Sequence, residues 1–137
     1  MPTPASRNQT LSLLRRRVAE VGIRPRTSLG QNFLIDLNLL DILLETARLD
    51  SNDVVLEVGT GTGSLTALMA PQAAAVVTIE IDGHLCELAS EELIDFENVT
   101  MLHHDALRNK NNFDDRLLGA IGAALEAGPD RRLKLVA

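Results

Sequence analysis

The sequence is poor in cysteine and in aromatic residues. The 137-residue chain contains one cysteine, Cys86, three phenylalanines, and no tryptophan or tyrosine. A single thiol excludes a disulfide framework and a four-thiolate zinc site, and it is typical of a protein from a reducing compartment. Because aromatic rings are the usual stacking platforms for single-stranded RNA, their scarcity argues against a stand-alone RNA-binding module.

The sequence also lacks long apolar runs, and its composition is not that of an intrinsically disordered protein. The longest apolar stretch, residues 65–81, is interrupted by Pro71 and Gln72, and it is shorter than the roughly 20 residues that a membrane-spanning helix needs. Hydrophobic residues make up 45% of the chain, which is too many for an intrinsically disordered protein. The length suits one compact domain, so we expect one domain with no membrane segment.

The charge of the chain is unevenly distributed around its net value of −6. Residues 1–30 contain six arginines and one acidic residue, Glu20, for a net charge of +5, whereas residues 31–137 contain seven basic and eighteen acidic residues, for −11. The sequence thus predicts a basic N-terminal arm, residues 1–30, with a short amphipathic helix capped by Thr10, followed by an acidic body, residues 31–137. Three interpretations of the arm stay open: an RNA-facing segment, a mitochondrial transit peptide, or a solvated helix.

Short apolar runs alternate with helical patterns along the acidic body. The predicted strands cover 54–58, 75–81, 99–103 and 132–137, and the predicted helices cover 37–47, 64–69, 82–90 and 116–127, with Asp36, Asp82 and Asp114 as caps. Strands that are apolar throughout indicate a parallel sheet buried on both faces. Right-handed crossovers then make this a doubly wound, Rossmann-like α/β fold.

Acidic residues lie at or just after the ends of three predicted strands, where an open α/β sheet binds its ligands. They are Glu57, Glu80 and Asp105. The first strand is followed by a turn with glycine at three positions, Gly59, Gly61 and Gly63, where a ligand can approach bare backbone. Glu80 follows Gly59 by 21 residues, close to the offset of about 20 at which an acidic residue binds ribose hydroxyls. The pattern predicts a nucleoside-containing ligand.

The details favour S-adenosylmethionine over a nicotinamide dinucleotide. Ser64 stands where the dinucleotide motif requires its third glycine, and three carboxylates are unfavourable for a pyrophosphate. S-adenosylmethionine carries a sulfonium, an ammonium and a ribose, and it has no phosphate. We therefore expect the turn to receive its methionyl part, Glu80 its ribose hydroxyls and Asp105 its adenine amine. Glu57 is expected to help hold the cationic end. An NAD-dependent oxidoreductase stays open as an alternative.

Four segments together resemble the KsgA-type rRNA adenine dimethyltransferases. They are GQNFL at 30–34, VLEVGTGTGSLT at 55–66, TIEID at 78–82 and HHDAL at 103–107, and the resemblance extends over about residues 24–105. It implies a class I methyltransferase sheet with S-adenosylmethionine as cofactor. The cofactor contacts that it implies are Asn32 and Leu34 at the methionyl end, Gly59 in the turn, Glu80 at the ribose and Asp105 at the adenine. Gly30, where the related erythromycin-resistance enzymes usually have serine, favours the housekeeping branch.

The resemblance also implies an activity. Members of this family dimethylate adjacent adenines of small-subunit rRNA during ribosome biogenesis, so the implied partner is the immature small ribosomal subunit. We expect a cytoplasmic monomer that needs neither a metal nor a membrane. A methyltransferase-fold assembly or nucleic-acid-binding factor without catalysis is the second possibility.

The sequence departs from the family pattern at two points. Leu29 replaces a residue that is usually phenylalanine. The family's catalytic motif, Asn-Leu-Pro-Tyr, is expected just after Ala137, with the sheet truncated after its fourth strand. No catalytic residue is therefore assigned within residues 1–137, and we expect this stretch to bind cofactor weakly without methylating RNA.

Overall fold

A computed structural model describes the backbone of residues 37–136 and the side chains of residues 39–136. The elements in chain order are α1 (Leu37–Ala47), β1 (Asp53–Val58), α2 (Ser64–Met69), β2 (Ala75–Glu80), α3 (Gly83–Leu93), β3 (Val99–His103), β4 (Leu107–Asn109), β5 (Asn112–Phe113), α4 (Asp115–Glu126) and β6 (Arg132–Val136). The four strands and four helices predicted for this part of the chain are all present. The basic arm, Asp36 and Ala137 lie outside the described residues.

Four of the strands form one parallel sheet in the order β3-β2-β1-β6. The chain builds outward from β1 through β2 to β3, and it then returns to place β6 on the other side of β1. This reversal of direction beside β1 is the hallmark of a doubly wound sheet, in which ligands bind at the carboxyl edge. The predicted α/β architecture is confirmed.

Helices cover both faces of the sheet because neighbouring residues of a strand point to opposite sides. Val55 of β1 packs with α1 and α2 in one hydrophobic cluster, whose buried residues include Leu40, Leu44, Leu68 and Met69. Leu56, the next residue, packs with α4 in a second cluster, together with Ile79, Leu117 and Ile121. The two clusters hold β1 and β2 at the centre of the molecule and so fix where their carboxyl ends lie.

The helix starts follow the predicted caps, and one helix runs further than predicted. The Asp82 side chain accepts hydrogen bonds from the backbone N–H groups of His84 and Leu85, and Asp114 does the same at the start of α4. Helix α3 continues to Leu93 rather than ending near Ser90, since Leu93 is buried in the core. No helix in the described part of the chain has the length and apolarity to cross a membrane.

A small antiparallel hairpin between β3 and α4 was not predicted. It pairs β4 with β5, with Leu107 opposite Phe113, and all of its strand residues are exposed. Residues 107–113 lack the alternation of apolar and polar residues that marks a half-buried strand, which explains why the sequence pattern did not reveal them.

Candidate functional site

A cavity of about 150 Å³ opens at the carboxyl edge of the sheet. The ends of β1, β2 and β3 and the residues after them form its walls: Val58, Gly59, Ile79, Glu80, Ile81, His104, Asp105 and Ala106. Three of the sequence-predicted site residues, Gly59, Glu80 and Asp105, therefore meet at one place although up to 46 positions separate them in the chain. The cavity is where a doubly wound sheet is expected to bind a ligand.

The glycine turn presents open backbone beside this cavity. Gly59 has φ +90° and Gly61 has φ +58°, and a Cβ atom built on either would meet no described atom within 4 Å. Their positive φ angles explain the glycines, because side chains disfavour this conformation. The backbone N–H of Gly59 donates to the Ile79 carbonyl at 2.9 Å, which ties the turn to β2. The open space above the two glycines leaves room for a ligand against the backbone.

Gly63 serves packing rather than ligand access. Its φ is +85°, and a Cβ atom there would lie 3.3 Å from Leu93 Cγ and 3.4 Å from Ala89 of α3. The absence of a side chain thus lets the start of α2 approach α3 closely. Gly59 and Gly61 thus face open space whereas Gly63 faces α3, and the sequence spacing alone does not separate the two cases.

The Glu80 carboxylate is held in place by three backbone N–H groups. Its Oε1 accepts from Gly61 at 2.8 Å, while Oε2 accepts from Ile81 at 2.9 Å and from Asp82 at 3.1 Å. The first of these bonds joins the end of β2 directly to the glycine turn. Since each carboxylate oxygen can accept two hydrogen bonds, the anchored group keeps acceptor capacity for a ligand.

Asp105 and His104 form the wall of the cavity beyond β3. Asp105 Oδ1 accepts from the backbone N–H of Leu107 at 2.9 Å, an arrangement that orients the carboxylate and starts the β4–β5 hairpin. His104 Nε2 is hydrogen-bonded to the Arg116 guanidinium of α4. As Arg116 can only donate, this nitrogen of His104 is the acceptor.

Glu57 does not line the cavity with the other two acidic residues. It is 3% exposed, and its Oε1 accepts hydrogen bonds from the hydroxyls of Thr66, in α2, and Thr78, in β2. Burial raises the pKa of Glu57 to about 7, the two threonine hydrogen bonds oppose this rise, and the negative charge of Glu80 adds to it. The role predicted for Glu57 at the cationic end of a ligand stays a prediction.

Two predicted site residues lie outside the described part of the chain, and the sequence patterns did not reveal the threonines that surround Glu57. Asn32 and Leu34, assigned to the methionyl end by resemblance, fall among the residues that the structure does not describe. The buried threonines around Glu57 were missed, although a threonine two positions before Glu80 in the same strand is a visible polar exception in an apolar run. Within residues 37–136, no group of three histidine, cysteine or acidic side chains is placed to hold a metal ion.

Comparison with known proteins identifies the family. The family model for ribosomal RNA adenine dimethylase matches residues 22–118, which is more than half of the 137-residue chain. The chain belongs to this family. The dimethylase match includes the glycine turn, Glu80 and Asp105, and it extends into the N-terminal segment that contains Asn32 and Leu34.

Curated relatives agree with the dimethylase assignment. Ribosomal RNA small subunit methyltransferase A of Clostridium botulinum (strain Okra) is 43% identical over 88 residues, which are 64% of this chain and 31% of that protein. The protein of the same name from Moorella thermoacetica is 38% identical over 122 residues, which are 89% of this chain and 40% of that protein. The chain therefore aligns with less than half of the length of these relatives.

Solved structures agree on the methyltransferase fold. The 23S rRNA methyltransferase ErmE matches with a TM-score of 0.53 and 27% identity, over 76% of this chain and 47% of that one. A second structure, a putative RNA methyltransferase of Pyrococcus horikoshii, matches with a TM-score of 0.53 at 21% identity, over 68% of this chain and 51% of that one, and shows the fold alone. The predicted Rossmann-like methyltransferase sheet is confirmed.

Proposed function

We propose that the protein uses S-adenosylmethionine to dimethylate adjacent adenines of small-subunit rRNA. The observation that carries this proposal is the meeting of Gly59, Glu80 and Asp105 at one cavity, next to a turn with open backbone at Gly61. Family membership and the names of the relatives support the rRNA substrate. Because the match covers less than half of each relative, methyl transfer is proposed for the whole protein.

The residues present fit S-adenosylmethionine as the ligand. The carboxylate of Glu80, anchored to the turn through Gly61, would accept from a ribose hydroxyl at Oε1, which has one acceptor place left. The carboxylate of Asp105, oriented by Leu107, would accept from the adenine amine. Open space over Gly59 and Gly61 would receive the methionyl part. The bound cofactor would supply an electrophilic methyl group on its sulfonium.

The same residues do not suit a nicotinamide dinucleotide. A pyrophosphate needs backbone N–H groups and positive potential, whereas Glu80 and Asp105 both face the cavity. Moreover, three N–H groups of the turn already have acceptors: Gly61 donates to Glu80, and Gly59 and Gly63 donate to backbone carbonyls. The described residues therefore favour S-adenosylmethionine over a dinucleotide.

Calorimetry on the chain tests the cofactor proposal. We expect S-adenosylmethionine and S-adenosylhomocysteine to bind and NAD not to bind. The Asp105→Asn variant keeps an oxygen for the Leu107 N–H but turns an amide donor toward the adenine amine, so its affinity should fall about tenfold or more, the size of one unpaired buried hydrogen bond. Asp130→Asn, at an exposed position away from the cavity, is the matched control. Binding of NAD alone would contradict the proposal.

Analysis of rRNA from cells tests the reaction itself. Deleting the gene should remove dimethyladenosine from the small-subunit rRNA, as measured by mass spectrometry of the digested rRNA, and restoring the gene should return it. Unchanged dimethylation in the deletion strain, together with a defect in subunit assembly, would instead support the non-catalytic assembly factor. We place this activity in the cytoplasm on an immature small subunit, with the protein as a monomer.

A further inference from the structure

The Glu57 carboxyl ends a chain of hydrogen bonds that begins in the glycine turn. The Oγ1 atoms of Thr60 and Thr78 lie 2.6 Å apart, and Thr78 Oγ1 donates to Glu57 Oε1 at 2.7 Å. A hydroxyl group has one proton to donate. Because Thr78 gives its proton to Glu57, Thr60 must be the donor to Thr78. The chain therefore has a fixed direction, from the turn through β2 to the carboxyl group of β1.

A second hydroxyl reaches the same carboxyl oxygen from α2. Thr66 donates to Glu57 Oε1, so Glu57 connects the turn, β2 and the helix that follows the turn. All four side chains are buried, with Thr66 and Thr78 completely inaccessible. A buried hydroxyl without a partner is costly, so each member of this cluster depends on the others.

Thr60 is the member that joins the cluster to the turn backbone. It stands between Gly59 and Gly61, whose positive φ angles define the turn. Its N–H donates to the Ile79 carbonyl at 3.2 Å, and its carbonyl accepts from Gly63 at 3.0 Å. The side-chain bond to Thr78 thus fixes the residue on which the turn conformation depends, directly beside the wall of the cavity.

The surroundings of Glu57 contain little charge. The acidic group that acts on it is Glu80, at the end of β2. Helix α2 has no charged residue, and the neighbouring strand β6 places Val136 in register with Glu57. A carboxyl group in these surroundings is suited to accept hydrogen bonds, and its oxygen accepts them in the protonated form as well as in the ionised form.

We propose that Glu57 is a positioning residue that holds the glycine turn in its ligand-receiving conformation through Thr78 and Thr60, without contacting the ligand. This inference rests on the proposed function, in which the turn receives the methionyl part of S-adenosylmethionine. It replaces the direct contact with the cationic end that the sequence predicts.

Two variants separate positioning from direct contact. In Glu57→Gln the amide oxygen still accepts from both threonines, so positioning predicts an affinity for S-adenosylmethionine within about twofold of the wild type. In Thr78→Val the chain is broken, and the affinity should fall about tenfold, as for the loss of a buried hydrogen bond. Thr78→Ser keeps the hydroxyl, so its affinity should be close to that of the wild type. Thr100→Val, on the exposed part of β3, is the matched control. If Glu57→Gln loses binding while Thr78→Val keeps it, Glu57 contacts the ligand and the proposal is wrong.

A measurement without ligand tests the same proposal independently of the cofactor. Amide hydrogen exchange at Thr60 and Gly63 should become about tenfold faster in Thr78→Val and in Thr60→Val, which breaks the chain at its other end. The core amides of Val55 and Val77 should keep their wild-type rates, which would show that the variants are folded. Unchanged exchange in the turn of both variants would overturn the proposal. Failure of the wild type to bind S-adenosylmethionine would count against the proposed function alone.

Discussion

Two buried carboxyl groups on the same strand have pKa values that move in opposite directions. Glu57 has hydroxyl partners only, and burial raises its pKa to about 7. Burial also acts to raise the pKa of Asp53, but hydrogen bonds and positive charge from Arg132 and Lys134, with the backbone N–H of Asp50, outweigh it and lower the pKa. Both carboxyl groups are shielded from solvent, and their partners differ: neutral hydroxyls for Glu57 and cationic groups for Asp53.

The raised pKa of Glu57 predicts a pH-dependent stability. Between its ordinary value of 4.5 and about 7, the unfolded chain has released this proton while the folded chain keeps it. The free energy of unfolding should therefore fall as pH rises through this window, by on the order of 3 kcal/mol in total. Glu57→Gln, which does not titrate, should lack this component.

Denaturant unfolding from about pH 4 to pH 8 measures the effect as a difference between the two proteins. The variant should gain stability relative to the wild type as pH rises, and the difference should level off above the Glu57 pKa. Parallel stability curves for the two proteins would show that Glu57 titrates normally in the folded state. Other titrating groups are common to both proteins and cancel in the comparison.

At the scale of elements, the glycine turn and the edge strand β6 are held by different kinds of contact. The turn depends on backbone conformation and on the close approach of α2 to α3 at Gly63. Strand β6 pairs with β1 over five residues, and charge adds to this pairing: Lys134 Nζ lies 3.0 Å from Asp53 Oδ2 and also donates to the carbonyls of Ala47 and Arg48. We therefore expect the turn to be sensitive to substitution of its glycines, and β6 to be sensitive to substitution of Lys134.

Alanine substitutions should separate the two functions of the turn glycines. Gly61→Ala places a Cβ in open space and costs mainly the strain of a positive φ, about 1 kcal/mol, whereas Gly63→Ala adds a tight contact of 3.3 Å with Leu93 Cγ and should cost about 2 kcal/mol. The main effect of Gly61→Ala should be a lower affinity for S-adenosylmethionine, because the new methyl group occupies the open space. Thermal unfolding and calorimetry measure the two effects, and equal losses of stability would contradict this assignment.

Removing the Lys134 amine should loosen β6. Lys134→Met keeps the apolar part of the side chain but leaves Asp53, which is fully buried, with one cationic partner fewer. We expect a loss of about 2 kcal/mol in the free energy of unfolding, less than for a buried charge left entirely unpaired because Arg132 still contacts Asp53. Lys110→Met, at the exposed tip of the β4–β5 hairpin, should change stability little. If both variants lose similar amounts of the free energy of unfolding, the contact between Lys134 and Asp53 does not account for the loss.

At the scale of the whole molecule, the sheet separates the ion pairs around Asp53 from the carboxylates that line the cavity. Asp53, with Arg132 and Lys134, lies at the amino-terminal end of β1. Glu80 and Asp105 lie at the carboxyl edge, where the cavity opens. In a parallel sheet these ends are on opposite sides of the molecule, so the ion pairs do not neutralise the carboxylates that line the cavity.

Ligand binding should stabilise the molecule as a whole. If S-adenosylmethionine binds only the folded chain, a concentration of a hundred times its Kd should add about 2.7 kcal/mol to the free energy of unfolding. Thermal unfolding with S-adenosylmethionine, and with NAD at the same concentration, measures this effect. We expect S-adenosylmethionine to raise the midpoint of thermal unfolding and NAD to leave it unchanged. If neither ligand raises the midpoint, the result argues against the proposed site.

The sequence predicted regular elements well where burial makes the pattern clear. The helix over 64–69 matches the structure at both ends, and five of its six residues are buried. The strand over 99–103 also matches at both ends, although its residues are only half-buried or exposed. The β4–β5 hairpin was missed because backbone pairing, and not burial, holds its exposed residues together. Of the predicted site residues, Gly59, Glu80 and Asp105 line one cavity and Glu57 lies outside its lining, while their roles toward a ligand stay predictions.

The sequence by itself determined the alternation of strands and helices, the glycine turn and the acidic residues at the strand ends. These features depend on local conformation and on spacing along the chain. Only the tertiary structure decided that β6 pairs with β1, that Glu80 is tied to Gly61, and that Glu57 is buried among threonines of two other elements. Such contacts depend on which side chains are brought together across the sheet, and this is set by packing between segments that are distant in the chain.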